Sequence, residues 1–428
     1  MKYAAPILIL MMLAACGGAS GDQTGNAVYD ADTAAEPDEK ALREQSRLEN
    51  LKRLAREATE KFPGIENYDR VLQEAKGEVD GAREFIEAAA RAEKLWIGHG
   101  DEPWRHLLNY GSENFEDEFN RKATREDYVE ALKQSAQLAR DVRDLSRCDS
   151  LVAIGPMLLD PDSAKYLGGI WLQSLPIQRV ELLLELDMTD LAKEELVYNL
   201  RMRRLLDVTT LDFALLIQLV STESLFRGFF RSEKLAVLAK EASVQEAVDN
   251  LRMDAFTMFK RAWRSEFSHV VKHVLEMETL DNDWSRDPYT DALGQYEYLE
   301  FMLKAAEAFP DRAPDPFNAD DYARTKKLAG ESGGRDLEEA IIHRFARMRG
   351  HQCAWLAWDM FVADQDEPLL NRKLEAETMI ANVPFATATW TDSELEIRLD
   401  PDAAVLRDTR EPAMNLWFWK FRLQQPKD

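Results

Sequence analysis

The stretch VELLLELDMTDLAKEELVYNLRMRRLL, Val180 to Leu206, decides the fold of this chain. Its first part, Val180 to Asp187, is apolar at most positions, and its last part, Leu191 to Leu206, has the composition of a helix. Met188-Thr189-Asp190 lies between the two parts, and Thr189-Asp190 offers the side chains of a helix N-cap. The stretch therefore predicts two helices joined by a short turn.

Amphipathic helices are predicted on both sides of this hairpin, because apolar residues recur at the three- and four-residue steps of one helix face. The predicted segments are Lys40 to Phe62, Arg83 to Ile97, Glu126 to Arg147, Thr210 to Lys240, Gln245 to Leu280, Tyr289 to Phe309 and Leu337 to Ala363. The predicted fold class is therefore mainly α, with stacked amphipathic helical hairpins arranged as a right-handed array or an irregular bundle.

The pattern changes to a period of two after Pro384. Phe385 to Trp390 is rich in Thr and aromatic residues, and Leu395 to Leu399 alternates apolar and charged residues. In Leu416 to Leu423, one strand face would carry Trp417, Trp419, Phe421 and Leu423. These segments predict a small antiparallel β element at the C-terminus. The alternative is an extended tail that packs on the helices.

The first sixteen residues have the pattern of an export signal. Lys2 precedes an apolar run from Ile7 to Leu13, and Leu13-Ala14-Ala15-Cys16 follows. The run is shorter than the roughly 20 residues that span a bilayer, and its charged, apolar and small-residue regions fit a cleaved signal peptide. Leu13-Ala14-Ala15-Cys16 resembles the lipobox of bacterial lipoproteins. That resemblance implies cleavage before Cys16, acylation of its sulfur, and anchoring to a lipid bilayer.

The sequence predicts four segments along the chain. Residues 1–15 are the signal peptide, and residues 16–39 are the acylated cysteine with a flexible tether of small and polar residues. Residues 40–309 form the main helical domain, and residues 310–428 carry the last long helix and the β tail, which we expect to pack on that domain. The boundary follows from Pro310 to Asn318, which contains three prolines.

The charge balance limits the classes of partner. The chain has 54 Lys and Arg against 78 Asp and Glu, a formal net charge of −24. Such a chain repels the phosphates of nucleic acids, so a nucleic-acid partner is not predicted. A hydrophobic content of 45%, with ten Trp, also excludes an intrinsically disordered chain.

Two further resemblances concern the helical region. The hairpin at Val180 to Leu206 resembles one tetratricopeptide-type unit. Arg179 to Phe226, with Leu216-Ile217-Gln218-Leu219-Val220 followed by Leu225, resembles a group of uncharacterised exported all-helical proteins of planctomycete-type bacteria. The resemblance implies a helical exported protein with short C-terminal strands, and it carries over no catalytic residue. The Gly/Asp-rich tail usual in that group is missing from this chain.

Candidate metal ligands lie on one predicted helix. Glu266, His269, His273 and Glu276 follow one another at steps of three, four and three residues. Side chains at these steps are neighbours on a helix surface, so two imidazoles and a carboxylate would suit zinc. The general-base Glu of a His-Glu-x-x-His site is missing. The alternative is a polar stripe of a long helix.

Cys148 and Cys353 are the two cysteines that remain once Cys16 is acylated. An exported protein meets an oxidising compartment, in which the two can form a disulfide. The alternative is a pair of buried, reduced thiols.

Glycine-rich phosphate loops and nucleophile-elbow motifs are absent from the sequence, so no cofactor is predicted.

Two functions remain open on these observations. The first is a membrane-anchored scaffold of the cell envelope that binds a protein or peptide, because helical arrays present extended binding surfaces. Gly17, directly after Cys16, favours the periplasmic face of the outer membrane by resemblance to known sorting. The second is an envelope enzyme, a metal-dependent hydrolase in which His269 and His273 are ligands.

Overall fold

A computed structural model describes most of the chain after residue 36. The described residues are 37–68, 70, 77–97, 102–112, 115–151, 166–205, 212–252, 255–277, 292–310, 312–391, 393–400 and 418–424. The predicted signal peptide, Cys16 and nearly all of the predicted tether lie outside these ranges. Within them, no helix combines the length and the hydrophobicity that crossing a lipid bilayer requires.

The described chain is mainly helical and ends in a three-stranded antiparallel sheet, which confirms the predicted fold class. A short 3-10 helix, Leu369–Arg372, precedes the last helix. In chain order the helices are α1 (Pro37–Lys61), α2 (Ala82–Ile97), α3 (Pro103–Tyr110), α4 (Phe115–Phe119), α5 (Arg125–Gln134), α6 (Ala136–Leu145), α7 (Tyr166–Glu185), α8 (Thr189–Arg204), α9 (Asp212–Arg231), α10 (Glu233–Leu238), α11 (Ala242–Asp249), α12 (Ala255–Glu276), α13 (Ala292–Ala308), α14 (Ala319–Asp366) and α15 (Lys373–Ala381). The backbone of α14 is not helical at Gly333 and Gly334, so α14 consists of two helices joined at a kink.

The central hairpin forms as α7 and α8, and its turn differs in one detail from the prediction. Asp187 adopts a left-handed backbone with φ of 58°, and the N–H of Met188 donates to the carbonyl of Leu183 at 2.9 Å. This reversal ends α7 and makes Met188 the N-cap of α8, without a side-chain cap. Thr189 is therefore the first helical residue rather than part of the cap.

Three predicted helices are each divided in two in the structure. Glu126 to Arg147 breaks at Ser135, where the backbone departs from helical angles between α5 and α6. Thr210 to Lys240 breaks at Ser232, whose side chain accepts a hydrogen bond from the N–H of Leu235 and starts α10. Gln245 to Leu280 divides into α11 and α12. Serine competes with the helical hydrogen bonds of the backbone, so it favours the first two of these breaks.

The C-terminal strands form a sheet in the order β1 (Ala386–Trp390), β2 (Glu394–Leu399) and β3 (Phe418–Arg422). Both strand pairs are antiparallel, and Ile397 lies opposite Ala388 on one side and Trp419 on the other. Trp419, Phe421 and Leu423 are buried on one face, as the alternation predicted. Trp417 lies outside the described residues.

The chain divides into two compact units that do not follow the predicted boundary at residue 310. The first unit takes the described residues within 1–70 and 263–346, and the second takes those within 71–262, 347–406 and 411–428. Both α12 and α14 contribute residues to both units. The division is discontinuous because α1 packs on α13, more than two hundred residues later in the chain.

Each unit has its own core. In the first, Trp263 meets Phe301 edge to face and Tyr322 packs on Phe345. In the second, α7 packs against α2 and α8. An aromatic cluster in the second unit joins α9, α14 and β3 through Phe226, Phe230, Trp358, Phe361 and Phe421.

Candidate functional site

A cleft of about 330 Å³ opens in the second unit at the C-terminal ends of three helices. The residues after α6, the last turn of α8 and the end of α11 supply its walls. We call it the arginine cleft, after Arg147, Arg201 and Arg204, which line it together with Cys148, Asp149 and Asn250. Its volume lies at the lower end of the range of small-molecule and peptide-anchor pockets.

The floor of the arginine cleft is apolar and firmly packed. Leu200, Leu205 and Ala247 line it and are buried, with exposed fractions of 0%, 4% and 5%. Leu200 and Leu205 belong to the buried stripe of α8 and its cap, so their positions are set by packing in the core. The floor is therefore present before any ligand arrives, which lowers the entropic cost of binding.

Hydrogen bonds to the segment before α2 hold one wall of the cleft in place. The N–H of Asp149 donates to the carbonyl of Val79 at 2.8 Å, and the N–H of Gly81 donates to the carbonyl of Ser150 at 2.9 Å. Asp149 also accepts a hydrogen bond from the N–H of Val79 through Oδ2 at 3.1 Å. These bonds fix the backbone that carries Arg147 and Cys148, although this segment lies outside any helix.

The rim of the cleft is cationic in a strongly acidic chain. Arg147, Arg201 and Arg204 are exposed, and Asp149 is the acidic residue of the lining. Arg147 lies 3.9 Å from Asp144, at the limit of an ion pair. Arg201 and Arg204 form no ion pair within the described ranges. A guanidinium group presents planar pairs of N–H donors that match carboxylate or phosphate oxygens, so the rim is suited to anionic groups.

The predicted metal ligands lie in the first unit, and the structure brings two of the four close together. The rings of His269 and His273 stack with centroids 6.1 Å apart on α12. Glu266 instead pairs with Arg344 at 3.4 Å, and Glu276 is exposed, with a carboxylate oxygen 4.0 Å from the ammonium group of Lys272. Across the residues that the structure describes, no three His, Cys, Asp or Glu side chains group as a metal site would.

The two histidines have the environment of a packed helix face. Tyr68 meets the ring of His269 edge to face, with centroids 4.9 Å apart. Burial, together with the neighbouring His273, lowers the pKa of His269 to about 4. Burial also lowers the pKa of His273, against the opposing effect of Glu276. Both rings are therefore neutral at pH 7, the form in which imidazole binds metals.

Cys148 and Cys353 are both free thiols in the structure rather than partners in the possible disulfide, and only Cys353 is buried. Cys353 is fully buried within α14, and its burial raises the pKa of its thiol well above the usual range. Cys148 is half-buried beside Gly81 at the arginine cleft, and its pKa is also raised by burial and by neighbouring carboxylates. Neither thiol has the low pKa of a reactive cysteine.

A buried ionic cluster in the second unit was not predicted. Glu223 on α9 is 4% exposed, and its carboxylate lies 3.6 Å from Arg347 on α14. Burial raises the pKa of Glu223, while Arg347 and Arg227 oppose the shift. Arg227 also lies over the ring of Trp419 at 5.5 Å. These charges link α9, α14 and β3 inside the core, which gives the cluster a structural role.

Sequence reasoning missed the arginine cleft, although one signal was available. Arg201 and Arg204 stand three residues apart at the end of a predicted helix, so they share a face in a chain of net charge −24.

Comparison of the chain with protein-family models, curated proteins and solved structures gives no match.

Proposed function

We propose that this chain is a lipid-anchored binding protein of the cell envelope, a helical scaffold whose binding site for a protein or peptide partner is the arginine cleft. The observation that carries the proposal is the cleft itself, in which three arginines surround an apolar floor that is already packed. A preformed pocket with a few convergent polar groups is the usual form of a recognition site.

The anchor supports the location and rests on the lipobox resemblance of Leu13-Ala14-Ala15-Cys16. Two or more acyl chains bind a bilayer durably, because each buried methylene contributes about 0.8 kcal/mol. The chain is then held by its N-terminus while its helical part recognises a partner. The proposed location is the periplasmic face of the outer membrane.

Mass spectrometry of the mature protein tests the anchor. We expect an N-terminus at Cys16 that carries diacylglycerol, and we expect Cys16→Ser to move the protein from the membrane fraction to the soluble fraction. Recovery of the intact leader on a chain free of lipid would contradict the anchor.

Site-specific photo-crosslinking in living cells tests the binding site. A photoreactive residue replaces Asn250 at the cleft, and the matched control replaces Lys122, which is also exposed in the second unit. We expect a discrete crosslinked partner from position 250 and none from position 122. Blocking the cleft with Ser146→Trp should remove that product. Products that are identical at both positions would refute the proposal.

An envelope enzyme remains the second candidate, and the stacked pair of His269 and His273 is the observation that favours it. Protein purified without a histidine tag would then contain about one zinc ion per chain, and His269→Ala/His273→Ala would lose it. The scaffold proposal expects a metal content far below one per chain in both proteins.

A further inference from the structure

The geometry points to an acidic peptide segment, one with consecutive Asp or Glu side chains, as the ligand of the arginine cleft. This inference rests on the proposed function and adds the chemical class of the partner. Three arginines on two different walls of one cleft can engage neighbouring carboxylates of an extended chain, because each guanidinium binds one carboxylate in a bidentate manner.

The position of the arginines supports several separate anionic groups rather than one. Arg201 and Arg204 extend from the last turn of α8, and Arg147 extends from the segment that follows α6. All three residues are exposed, so each guanidinium is accessible to a carboxylate of its own. A peptide with acidic side chains at successive positions meets all three.

The remaining lining suits a polypeptide backbone. Asn250 offers an amide donor and an acceptor, and Asp149 uses Oδ2 for the N–H of Val79. Such mixed groups match the N–H and C=O of a peptide. At the floor, Leu205 and Ala247 keep a small exposed apolar surface, 4% and 5%, for the methylene groups of Glu side chains, and the fully buried Leu200 supports them.

The helix ends argue against a phosphate as the ligand. The ends of α6, α8 and α11 border the cleft, and a helix C-terminus carries about half a negative charge. That partial charge repels a compact dianion bound near the floor. A peptide brings its carboxylates to the rim and its N–H donors to the interior, so it satisfies both kinds of group.

The charge of the whole chain adds selectivity. With a net charge of −24, the chain as a whole repels an acidic peptide, so binding depends on local attraction by the three arginines of the cleft. Association is then directed to the cleft and weakens with added salt, because the Debye length shortens from about 10 Å at 0.1 M to about 3 Å at 1 M.

The test titrates fluorescein-labelled hexaglutamate with the purified full chain and measures fluorescence anisotropy. We expect saturable binding that Arg201→Glu/Arg204→Glu weakens by about tenfold or more, since two favourable charges become repulsive. The matched control, Lys122→Glu/Arg125→Glu, makes the same change of charge at two exposed positions of the same unit and should bind within about twofold of the parent. Circular dichroism confirms that each variant is folded.

Competition identifies the chemistry. Unlabelled hexaglutamate should displace the probe, whereas hexaglutamine, and inorganic phosphate at matched ionic strength, should not. Displacement by phosphate alone, equal loss of binding in both double variants, or no binding of hexaglutamate would overturn the inference.

Crosslinking in living cells distinguishes a wrong binding site from a wrong class of ligand. If Ser146→Trp removes the crosslinked partner but Arg201→Glu/Arg204→Glu does not, the cleft remains the binding site and the acidic ligand is refuted.

Discussion

The most specific prediction about stability concerns Arg179, because its buried guanidinium joins three helices of the second unit. Its Nε and Nη2 donate to the two carboxylate oxygens of Glu195 on α8, both at 2.8 Å. Its Nη1 donates to the carbonyl of Leu132 at 2.6 Å and to Oγ of Ser135 at 2.7 Å, between α5 and α6. The Arg179 and Glu195 side chains are 7% and 14% exposed, so solvent screens the pair weakly.

Arg179→Met removes the charge and keeps an apolar side chain that fills part of the volume. Removing one partner of a buried ion pair costs about 3–5 kcal/mol, because the other charge stays buried without compensation. For a unit of this size that corresponds to roughly 10 °C in melting temperature. Arg179→Met/Glu195→Met should recover much of the loss, because neither charge is then left unpaired.

The assay is urea unfolding monitored by tryptophan fluorescence, with Arg140→Met as the control. Arg140 is exposed on α6 and donates only to Gln137 among the described residues, so its loss should cost less than about 0.5 kcal/mol. If Arg179→Met were no less stable than Arg140→Met, the buried pair would not stabilise the junction of α7 with α8. A double variant as unstable as Arg179→Met would show that the cost is lost packing rather than an unpaired carboxylate.

Three further predictions concern other parts of the second unit. The N–H of Trp355 donates to His351, whose pKa burial lowers to about 3. The unfolded state therefore takes up a proton first, and the unfolding free energy falls as the pH drops below about 6.5, by up to about 1.4 kcal/mol per pH unit. His351→Gln should flatten that slope in urea titrations across the pH range. Gly81→Ala would place a methyl group 2.6 Å from the Sγ of Cys148, so we expect a loss of about 1–3 kcal/mol, partly restored by Cys148→Ala. Ser232→Ala removes the N-cap of α10 and should cost about 1 kcal/mol in the same assay, and an unchanged stability would contradict the cap.

The elements that sequence predicted well are those whose pattern is local. The apolar steps of α1 and α12 and the alternation of Trp419, Phe421 and Leu423 depend on the repeat of the backbone alone, and the structure confirms them. The breaks at Ser135 and Ser232 were missed because a serine inside a helix and a serine at a cap look alike in sequence. At Ser135 a distant residue, Arg179, binds the hydroxyl, and no local pattern reports that contact.

The discontinuous units were missed for a related reason. Pro310 to Asn318 interrupts the helices as predicted, but an interruption marks a domain boundary only when few contacts cross it. The chain on both sides contributes to the same unit, because α1 and α13 pack together with the first part of α14 in one group of contacts. Composition along the chain carries no information about which helices pair in space.

The run Arg201-Met202-Arg203-Arg204 shows which residues of the arginine cleft can be predicted from the sequence. Helical spacing separates Arg201 and Arg204 from Arg203, and the structure agrees: Arg203 is 2% exposed and donates to Asn199 and to the carbonyl of Gln173, while Arg201 and Arg204 face the cleft. The two faces follow from the period of the helix. The third arginine of the rim, Arg147, stands more than fifty residues earlier, and only the packing of α6 against α8 brings it to the same cleft. A charged pair on one helix becomes a candidate binding site when the segment after a neighbouring helix adds a third arginine to the same cleft.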